Sequence, residues 1–410
     1  MAAYLDHAAS TPLRPEALEA MLPHLRDQCA NPSGAHTLAR AARKAIDEAR
    51  DSMAELLGVA PREIVFTGGG TEADNLAVFG VHDRVRGVVV GGATEHHAVL
   101  EPVEARAGLV IPVDETGALD LEALAATLDA VADGGEVVSL VAVMLANNEV
   151  GTIQSLAPIA GVVRDHAPQA VLHTDAVQAF QWLDVASVAA PADLIAVSAH
   201  KFGGPKGVGV LAVREGAADR LGARSAGGGQ ERERRSGTQN VAAIVGMAEA
   251  ARCAATTRAA TVERVGKLRD RLIDAVLVSV PDVVETGVRP LLDRPEHLVP
   301  GGDGFPGTDG AAGAGERSHK IAGTAHLCFA GIESESLLFL LEREEVYASA
   351  ASSCASGAQE PSHVLSAMGV PRALARGSLR LSLGYASTEA DIDAAIAAIP
   401  PAVERLRAFS

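Results

Sequence analysis

Lys201 is the residue of this sequence with the clearest potential for covalent chemistry. It lies in the segment Ser198-Ala199-His200-Lys201-Phe202-Gly203-Gly204, directly after an apolar run at 194–197. A lysine that loses solvation at the end of a strand has a lowered pKa, so its amine can form a Schiff base with an aldehyde. The glycines would let a ligand approach the backbone closely. The alternative is a solvated surface lysine, which is the usual state of this residue type.

Two further polar segments could assist such an amine. Asp175, in His173-Thr174-Asp175-Ala176, follows an apolar run at 170–172. An aspartate there could pair with a protonated ring nitrogen and make the ring an electron sink, or it could simply cap a helix. His96 could stack on a flat cofactor and move protons near neutral pH. His96 and His97 could also bind a metal, but no third ligand stands at a convincing spacing.

A glycine-rich turn, Thr67-Gly68-Gly69-Gly70-Thr71-Glu72, follows another apolar run and opens a helical stretch. Free amides at the start of a helix, together with the helix dipole, form a binding site for phosphate. The Thr71 hydroxyl could add a further donor. The turn is not a nucleotide-binding P-loop, because no Gly-Lys-Ser/Thr follows, and a plain strand-to-helix turn is an equally good interpretation.

Cys354 stands in a run of small residues, Ser349-Ala350-Ala351-Ser352-Ser353-Cys354-Ala355-Ser356-Gly357. Small polar neighbours predict an accessible loop in which a thiolate could act. Most free cysteines are buried and inert. We expect this inert state for Cys29, Cys253 and Cys328.

The elements that must position these residues alternate along the chain. Short apolar runs without polar alternation are separated by Ala/Leu-rich helical stretches such as 119–131 and 155–167. The runs lie at 63–66, 87–90, 109–111, 137–141, 170–172, 194–197 and 208–211. Strands buried on both faces and joined by helices predict a doubly wound α/β fold. Ligands of such folds gather at the carboxyl ends of the strands, where the polar segments above are found.

The last third of the chain has a different pattern of predicted helices and strands. A long helical stretch at 240–278 precedes strands at 325–329 and 379–383. Helical stretches at 334–343, 361–368 and 387–408 complete a smaller α+β part. The segment 301–316 holds seven glycines in sixteen residues, and we interpret it as a mobile loop.

Composition excludes several classes of function. The 410 residues include 52 acidic and 35 basic side chains, and the net charge of −17 argues against nucleic acid or an anionic membrane as the main partner. No signal peptide is evident, and the longest apolar run, 137–146, is about half of a membrane span. The four cysteines form no CxxC pair, so neither a disulfide scaffold nor a zinc ribbon is expected. We expect a cytoplasmic α/β protein.

Taken together, these segments resemble the cysteine desulfurases of the NifS/IscS type, which are fold type I pyridoxal-phosphate enzymes of the class V aminotransferase family. The resemblance runs from Tyr4 to Ser382, and its specificity comes from the order and spacing of many short motifs. The motifs are Tyr4–Thr11, Asn31–His36, Gly68–Glu72, Thr94–His96, Asn147–Gly151, Asp175 with Gln178, Ser198–Lys201, Arg235–Thr238 and Arg380–Ser382.

The resemblance implies a fold and a division of the chain. The fold would be α/β, with a mainly parallel seven-stranded sheet covered by helices and a smaller α+β C-terminal domain. The large cofactor-binding domain would span 14–255. The small domain would combine 1–13 with 256–410 and would carry the loop of Cys354.

The same resemblance implies how pyridoxal phosphate would be bound. Lys201 would hold the cofactor as a Schiff base, and Asp175 would pair with the ring nitrogen. Asn148 and Gln178 would bond the ring hydroxyl. His96 would stack on the ring and assist proton transfer.

The phosphate of the cofactor would have its own ligands. Thr71, Ser198 and His200 would hold it, with the backbone of Gly70 beside them. Thr238 would reach the phosphate site of the other protomer, which implies a homodimer.

The implied reaction removes sulfur from L-cysteine. Arg380 and Asn31 would bind the substrate, with the guanidinium of Arg380 on its carboxylate. The thiolate of Cys354 would attack the substrate sulfur, release alanine and keep the sulfur as a persulfide. An acceptor protein, either an iron–sulfur scaffold or a thiolation enzyme, would then take that sulfur. No resident metal is implied, although Cys354 could contact an iron–sulfur cluster transiently.

Some positions depart from the family pattern, and some alternatives remain open. The family usually has glycine at Ala351, alanine at Ser353 and glycine at Glu233, and the segment 301–316 has no counterpart. A selenocysteine lyase or a class V aminotransferase would share the cofactor, but a transaminase would not need Cys354. A non-catalytic scaffold would lack the bound cofactor altogether.

Overall fold

The computed structural model describes residues 2–288, 317–350 and 362–408. The helices are α1 (Pro15–Arg26), α2 (Thr37–Leu57), α3 (Gly70–Val85), α4 (His97–Ala105), α5 (Leu121–Asp133), α6 (Leu156–His166), α7 (Val185–Val188), α8 (Val241–Ser279), α9 (Ser334–Arg343), α10 (His363–Ala367), α11 (Arg372–Ala375) and α12 (Glu389–Arg407). The strands are β1 (Ala3–Tyr4), β2 (Ile64–Thr67), β3 (Val88–Gly92), β4 (Leu109–Ile111), β5 (Val138–Ala142), β6 (Val171–Asp175), β7 (Leu194–Ser198), β8 (Gly209–Val213), β9 (Val283–Glu285), β10 (Thr324–Phe329), β11 (Val346–Tyr347) and β12 (Ser378–Ser382).

A seven-stranded sheet in the order β2-β8-β7-β6-β5-β3-β4 forms the centre of the fold. Its pairings are parallel except for those of β8, which is antiparallel to β2 and β7. Successive residues of β7 alternate between two apolar clusters, so Leu194 and Ala196 pack on one face and Ile195 and Val197 on the other. The prediction of a mainly parallel sheet that is buried on both faces is therefore confirmed.

Each cluster belongs to a different set of helices. The cluster with Leu194 includes Leu76 of α3 and Val99 of α4, whereas the other includes residues of α2, α5, α6 and α8. Strand β4 is an exception to double burial, since Leu109 and Val110 are partly exposed. Its place at the edge of the sheet leaves it without a neighbour on one side.

A second region is antiparallel and contains the later elements. Strand β10 pairs with β12 and with β9, and α9 and α12 pack together beside these strands. The N-terminal strand β1 pairs with β11, so the start of the chain joins its C-terminal third. The domain limits given above stay a prediction.

Two expectations fall outside the described residues, and one is wrong. Cys354 and the segment 301–316 are not among the residues that the structure describes. Cys253 and Cys328 are buried as expected, but Cys29 is exposed. Cys29 lies in the connection between α1 and α2, which contributes little to either apolar cluster.

The backbone is unusual just before the segment 235–238, whose Thr238 is predicted to reach the phosphate site of the other protomer. Three successive non-glycine residues, Glu231, Arg232 and Glu233, have φ values of 44°, 57° and 64°. This left-handed conformation costs free energy for residues with a Cβ atom. Glu231 compensates with a buried, bidentate ion pair to Arg50, whose two N–H groups lie 2.9 and 2.8 Å from the carboxylate oxygens.

No described helix is long and apolar enough to traverse a lipid bilayer.

Candidate active site

Lys201 ends a short helical turn, 199–201, that directly follows β7. Its side chain is half-buried, and Nζ donates to the carbonyl oxygens of Ala8 and, at 3.1 Å, of Ala9. Gln178 also donates to the Ala8 oxygen, at 2.7 Å. The N-terminal segment therefore brings together two of the residues that the sequence predicted for the cofactor site.

Asp175 is the last residue of β6 and is almost fully buried. One carboxylate oxygen accepts a hydrogen bond from the backbone N–H of Val177 at 2.8 Å, so the side chain also stabilises the turn after the strand. Burial, reinforced by the charge of Asp74, raises the pKa of Asp175 to about 7, and Lys201 acts in the opposite direction. Asp175 and Lys201 are thus close enough to interact electrostatically, as expected for partners in one site.

His96 caps the N-terminus of α4, where its Nδ1 accepts a hydrogen bond from the N–H of Ala98 at 3.0 Å. Burial, followed by the charge of Lys201, lowers the pKa of His96 to about 4. The ring is therefore neutral at physiological pH, and its proton is on Nε2 because Nδ1 serves as the acceptor. A neutral His96 beside Lys201 can accept or relay a proton without adding a positive charge.

The glycine turn packs tightly against the end of β7. A Cβ atom on Gly70 would come within 2.7 Å of a methyl group of Val177 and within 3.5 Å of the Cβ of Ser198. Gly69 caps α3 with φ 149°, a value that side chains disfavour. The first N–H groups of α3 have no intrahelical acceptors, so an anion beside Ser198 would meet them directly. Thr71, the second residue of α3, is exposed.

His200 adjoins Lys201 and completes this end of the site. Burial, and then the charges of Lys201 and Lys206, lower its pKa to about 4. Arg235 approaches the same turn, but its guanidinium is paired with the carboxylate of Glu72 at 2.8 Å. Glu72 thus offsets the charge of Arg235, and His200 is neutral near physiological pH.

Arg380 lies on β12 and reaches from the antiparallel region toward the main sheet. Its guanidinium donates to the carboxylate of Asp6 at 2.9 Å and to the backbone oxygen of Asn148 at 3.0 Å. The residue is buried, and within the described chain its Nε donates to no acceptor. Arg380 is thus a buried cation with one unused donor, held beside Asn148.

The described residues on both sides of the segment that contains Cys354 contact residues of the candidate site or their neighbours. Ser349 exchanges two backbone hydrogen bonds with Arg380, at 3.1 and 2.8 Å. Ser362 caps α10 and donates its hydroxyl to the buried carboxylate of Glu149. The neighbouring residue, His363, approaches the backbone oxygen of Glu95 at 2.9 Å. The described chain therefore enters and leaves the segment 351–361 beside the candidate site.

Two further sequence-predicted residues are exposed within one chain. Asn31 is exposed, and its side chain accepts a hydrogen bond from the N–H of Ser33 at 2.9 Å. Thr238 is exposed at the end of the segment 235–238. The structure thus brings together Lys201, Asp175 and His96 around the amine, while the roles assigned to Asn31 and Thr238 stay predictions.

Sequence reasoning gave no role to several residues that build the site. Asp6 and Ala8 lie within the N-terminal motif that carried the resemblance, but their contacts with Arg380 and Lys201 join positions far apart in the chain. Asp74 bonds to His173 across 99 positions. The available signal was the position of His173 in the same short segment as Asp175.

The chain is similar over its whole length to known proteins. The model of the family described as Aminotransferase class-V matches residues 3–295. The IscS-like cysteine desulfurase of Mycobacterium tuberculosis strain H37Rv is 42% identical, with 99% of this chain and 97% of that protein covered. A solved structure of a NifS-like protein gives a TM-score of 0.84 at 30% identity, covering 99% of this chain and 100% of that one. SspA in complex with cysteine gives a TM-score of 0.74 at 28% identity, covering 94% and 99%.

Glu149 should make the stability of the protein depend on pH. Burial raises its pKa to about 7, opposed by the hydrogen bond from Ser362 and the charge of Arg380. Because this folded-state pKa is above the unfolded value of 4.5, the contribution of Glu149 to stability is fully present below the unfolded pKa and is lost as the pH rises through about 7. Glu149→Gln mimics the protonated acid. It should raise the melting temperature relative to the parent near pH 8 and change it little near pH 5.

The matched control is Glu122→Gln on α5, which changes an exposed carboxylate. We expect this control to shift the melting temperature equally at both pH values. A Glu149→Gln difference that is the same at both pH values would contradict the prediction.

Proposed function

The chain belongs to the class V aminotransferase family, and we propose that it is a pyridoxal-phosphate-dependent cysteine desulfurase. The observation that carries the proposal is the arrangement around Lys201, where a buried carboxyl, a neutral histidine and a half-buried amine meet at the ends of β6 and β7. The similarity to an IscS-like cysteine desulfurase over 99% of the chain supports the same activity.

The donors present fit pyridoxal phosphate at both of its ends. The free N–H groups at the start of α3, with Ser198 beside them, suit the phosphate, as do Thr71 and His200. At the other end, the buried Asp175 suits a protonated ring nitrogen. Lys201 would hold the cofactor covalently.

The ring would lie against His96 and near Asn148 and Gln178. When bound, the cofactor would serve as an electron sink for the α-carbon of an amino acid. The neutral His96 would offer Nε2 for proton transfer, and Lys201, once released, would move the α-proton. Asp175 would remain ionised opposite the ring nitrogen.

L-Cysteine is the substrate that we propose. SspA, a structural neighbour at 28% identity, was solved with cysteine bound. Arg380 would bind the substrate carboxylate through its planar guanidinium, with Asn148 holding the guanidinium in place. Asp6 also supplies a carboxylate to this guanidinium, so the substrate would compete with Asp6.

Cys354 would accept the sulfur. Its thiolate would bond to the substrate sulfur while the bond from that sulfur to the β-carbon breaks. The electron pair of the broken bond would stay with the carbon, which takes up a proton and leaves as alanine. The persulfide would then pass to an acceptor protein, either an iron–sulfur scaffold or a thiolation enzyme.

We also propose that the protein is a homodimer. Leu18, Leu22 and Leu25 lie on one face of α1 and are 43%, 38% and 60% exposed. Spacings of four and three residues place them in one stripe on the helix. An exposed leucine stripe is typical of a protein interface. The exposure of Thr238 fits a role in the site of a second copy rather than its own.

Lys201→Ala should abolish covalent binding of pyridoxal phosphate. Borohydride reduction followed by peptide mapping should locate the cofactor on the peptide of Lys201 in the parent protein and on none in the variant. The release of alanine from cysteine should fall by about 10³-fold, because the variant also lacks the amine that moves the α-proton. Lys206→Ala changes a nearby lysine and should retain the modified peptide. Unmodified Lys201 in active enzyme would refute the proposed function.

Cys354→Ala should lose persulfide formation and retain bound cofactor. Alanine and sulfide released from L-cysteine should fall to the level measured without enzyme, because the nucleophile for the substrate sulfur is missing. Cys29→Ala removes the exposed cysteine of the α1–α2 connection and should react at the parental rate. Persulfide formation by Cys354→Ala at the parental rate would show that another residue accepts the sulfur. Amino transfer by the variant would instead favour the aminotransferase alternative.

Leu25→Glu should dissociate the proposed dimer. Burying a carboxylate in an apolar interface is unfavourable, so sedimentation velocity should show a monomer. The monomer should also retain cofactor less well during dialysis, because it lacks the partner subunit's Thr238. Val278→Glu, at a position of α8 that is 88% exposed, is the control and should sediment as the parent does. A dimeric Leu25→Glu variant would exclude the α1 stripe as the interface.

A further inference from the structure

The carboxylate of Glu231 is buried and accepts four hydrogen bonds. Arg50 donates two of them, at 2.9 and 2.8 Å, and the backbone N–H of Phe66 donates the third at 2.9 Å. The side-chain amide of Gln239 donates the fourth. The side chain of Glu231 is only 1% exposed. An ionised carboxylate has about four acceptor sites, so this group is fully used by donors from its own chain.

These contacts fix Glu231 to the main sheet. Arg50, on α2, also donates to the backbone oxygen of Ile64 at 2.7 Å, and its guanidinium lies 4.7 Å from the centre of the Phe66 ring. Ile64 and Phe66 belong to β2, the strand that leads to the glycine turn. The position of Glu231 is therefore set by the interior of the protein, although the residues that follow it are exposed.

The two neighbours of Thr238 are both held by the backbone piece that contains Glu231. Gln239 donates to the Glu231 carboxylate, and Gly237 donates its backbone N–H to the side-chain oxygen of Gln230 at 2.9 Å. Gln230 and Glu231 are consecutive residues. Thr238 itself is exposed. The backbone around Thr238 is thus fixed on both sides, while its side chain is accessible to a second molecule.

The left-handed backbone at 231–233 shows that this arrangement has a cost. The three successive φ values are 44°, 57° and 64°, and the last of them belongs to Glu233, where the resembled family usually has glycine. A conformation that a Cβ atom disfavours persists only where the surrounding contacts enforce it, and such positions cluster at functional sites. The four hydrogen bonds of Glu231 are contacts of this kind.

We propose that Glu231 is a positioning residue that holds Thr238 in the phosphate site of the partner subunit. Its carboxylate ties Gln239 to the interior of its own subunit, so that the hydroxyl of Thr238 reaches the partner's cofactor phosphate at a fixed distance. The inference rests on the proposed function and on the proposed homodimer. The competing explanation is a local role, in which Glu231 supports the glycine turn of its own subunit through Phe66.

Heterodimers in which only one subunit can bind pyridoxal phosphate covalently separate these two roles. One chain carries Lys201→Ala, the other keeps Lys201, and two affinity tags allow the mixed dimer to be purified. Glu231→Gln is placed either in the Lys201→Ala chain or in the chain that keeps Lys201. Cofactor-free heterodimer is titrated with pyridoxal phosphate, and the modified Lys201 peptide is quantified after borohydride reduction.

The placement of Glu231→Gln should decide its effect. The substitution replaces an acceptor oxygen by an NH₂ group, so surrounding N–H groups lose their acceptor and Gln239 is released. In the Lys201→Ala chain, it should weaken cofactor binding by the other chain about tenfold, because a hydrogen bond to a charged phosphate is lost. In the chain that keeps Lys201, it should leave the affinity close to that of the parental heterodimer.

Two further substitutions in the Lys201→Ala chain serve as controls. Thr238→Val should weaken binding as Glu231→Gln does, and the two together should be no worse than either alone, because both act through one contact. A merely structural role of Glu231 would give additive losses. Glu233→Gln makes the same chemical change at an exposed position of the same segment and should bind cofactor as the parent does.

The outcomes distinguish this inference from the proposed function. Unchanged affinity in both placements, or a loss only when Glu231→Gln is in the chain that keeps Lys201, overturns the inference. If Glu231→Gln does not fold, Gln239→Met removes only the contact between Glu231 and the neighbour of Thr238, and its effect in the Lys201→Ala chain decides. A monomeric parent overturns the inference and leaves the proposed reaction standing. A parent that binds no cofactor at Lys201 refutes the proposed function and, with it, this inference.

Discussion

The electrostatic interaction between Lys201 and the buried carboxyl of Asp175 is the constraint on which the rest of the site depends. Asp175 sits where burial favours its neutral form, so a nearby cation is needed to keep it ionised at neutral pH. Parallel pairing of β6 with β7 sets Asp175 opposite Ala196, so Lys201 follows a few residues beyond. The sheet therefore fixes where the turn 199–201 begins relative to Asp175, and the N-terminal segment orients the amine of Lys201 at the end of that turn.

The N-terminal segment transmits this arrangement to the antiparallel region. The carbonyl of Ala8 accepts from Lys201 and Gln178, while Asp6 pairs with Arg380 on β12. The Ser382 hydroxyl accepts from the N–H of Ala8 at 2.8 Å, which joins the same segment to β12 a second time. Arg380, the proposed substrate-binding cation, and Lys201, the proposed cofactor-binding amine, are thus held to a single short piece of backbone. A movement of that segment would change both at once.

The fold and the centre of the site could be predicted from sequence because they follow from local patterns. Apolar runs without alternation indicated strands buried on both faces, and polar residues after them marked the sheet edge where Asp175 and Lys201 meet. Contacts between residues that are far apart in the sequence leave no such local pattern. Arg380 and Asp6 are 374 positions apart, and no periodicity in either segment predicts that they meet. The edge position of β4 was missed for a similar reason, since strand order is set by the whole sheet and not by the sequence of one strand.

The charges at the proposed phosphate end explain how a strongly acidic protein can bind an anion there. Arg235, whose guanidinium approaches the glycine turn, is paired with Glu72. His200 is neutral near pH 7 because burial lowers its pKa to about 4. The attraction for phosphate must consequently come from the N–H groups at the start of α3, hydroxyl groups and the amine of Lys201. Backbone donors have fixed positions and no titratable proton, so their contribution to anion binding does not change with pH, whereas the charge of Asp175 at the other end of the site does.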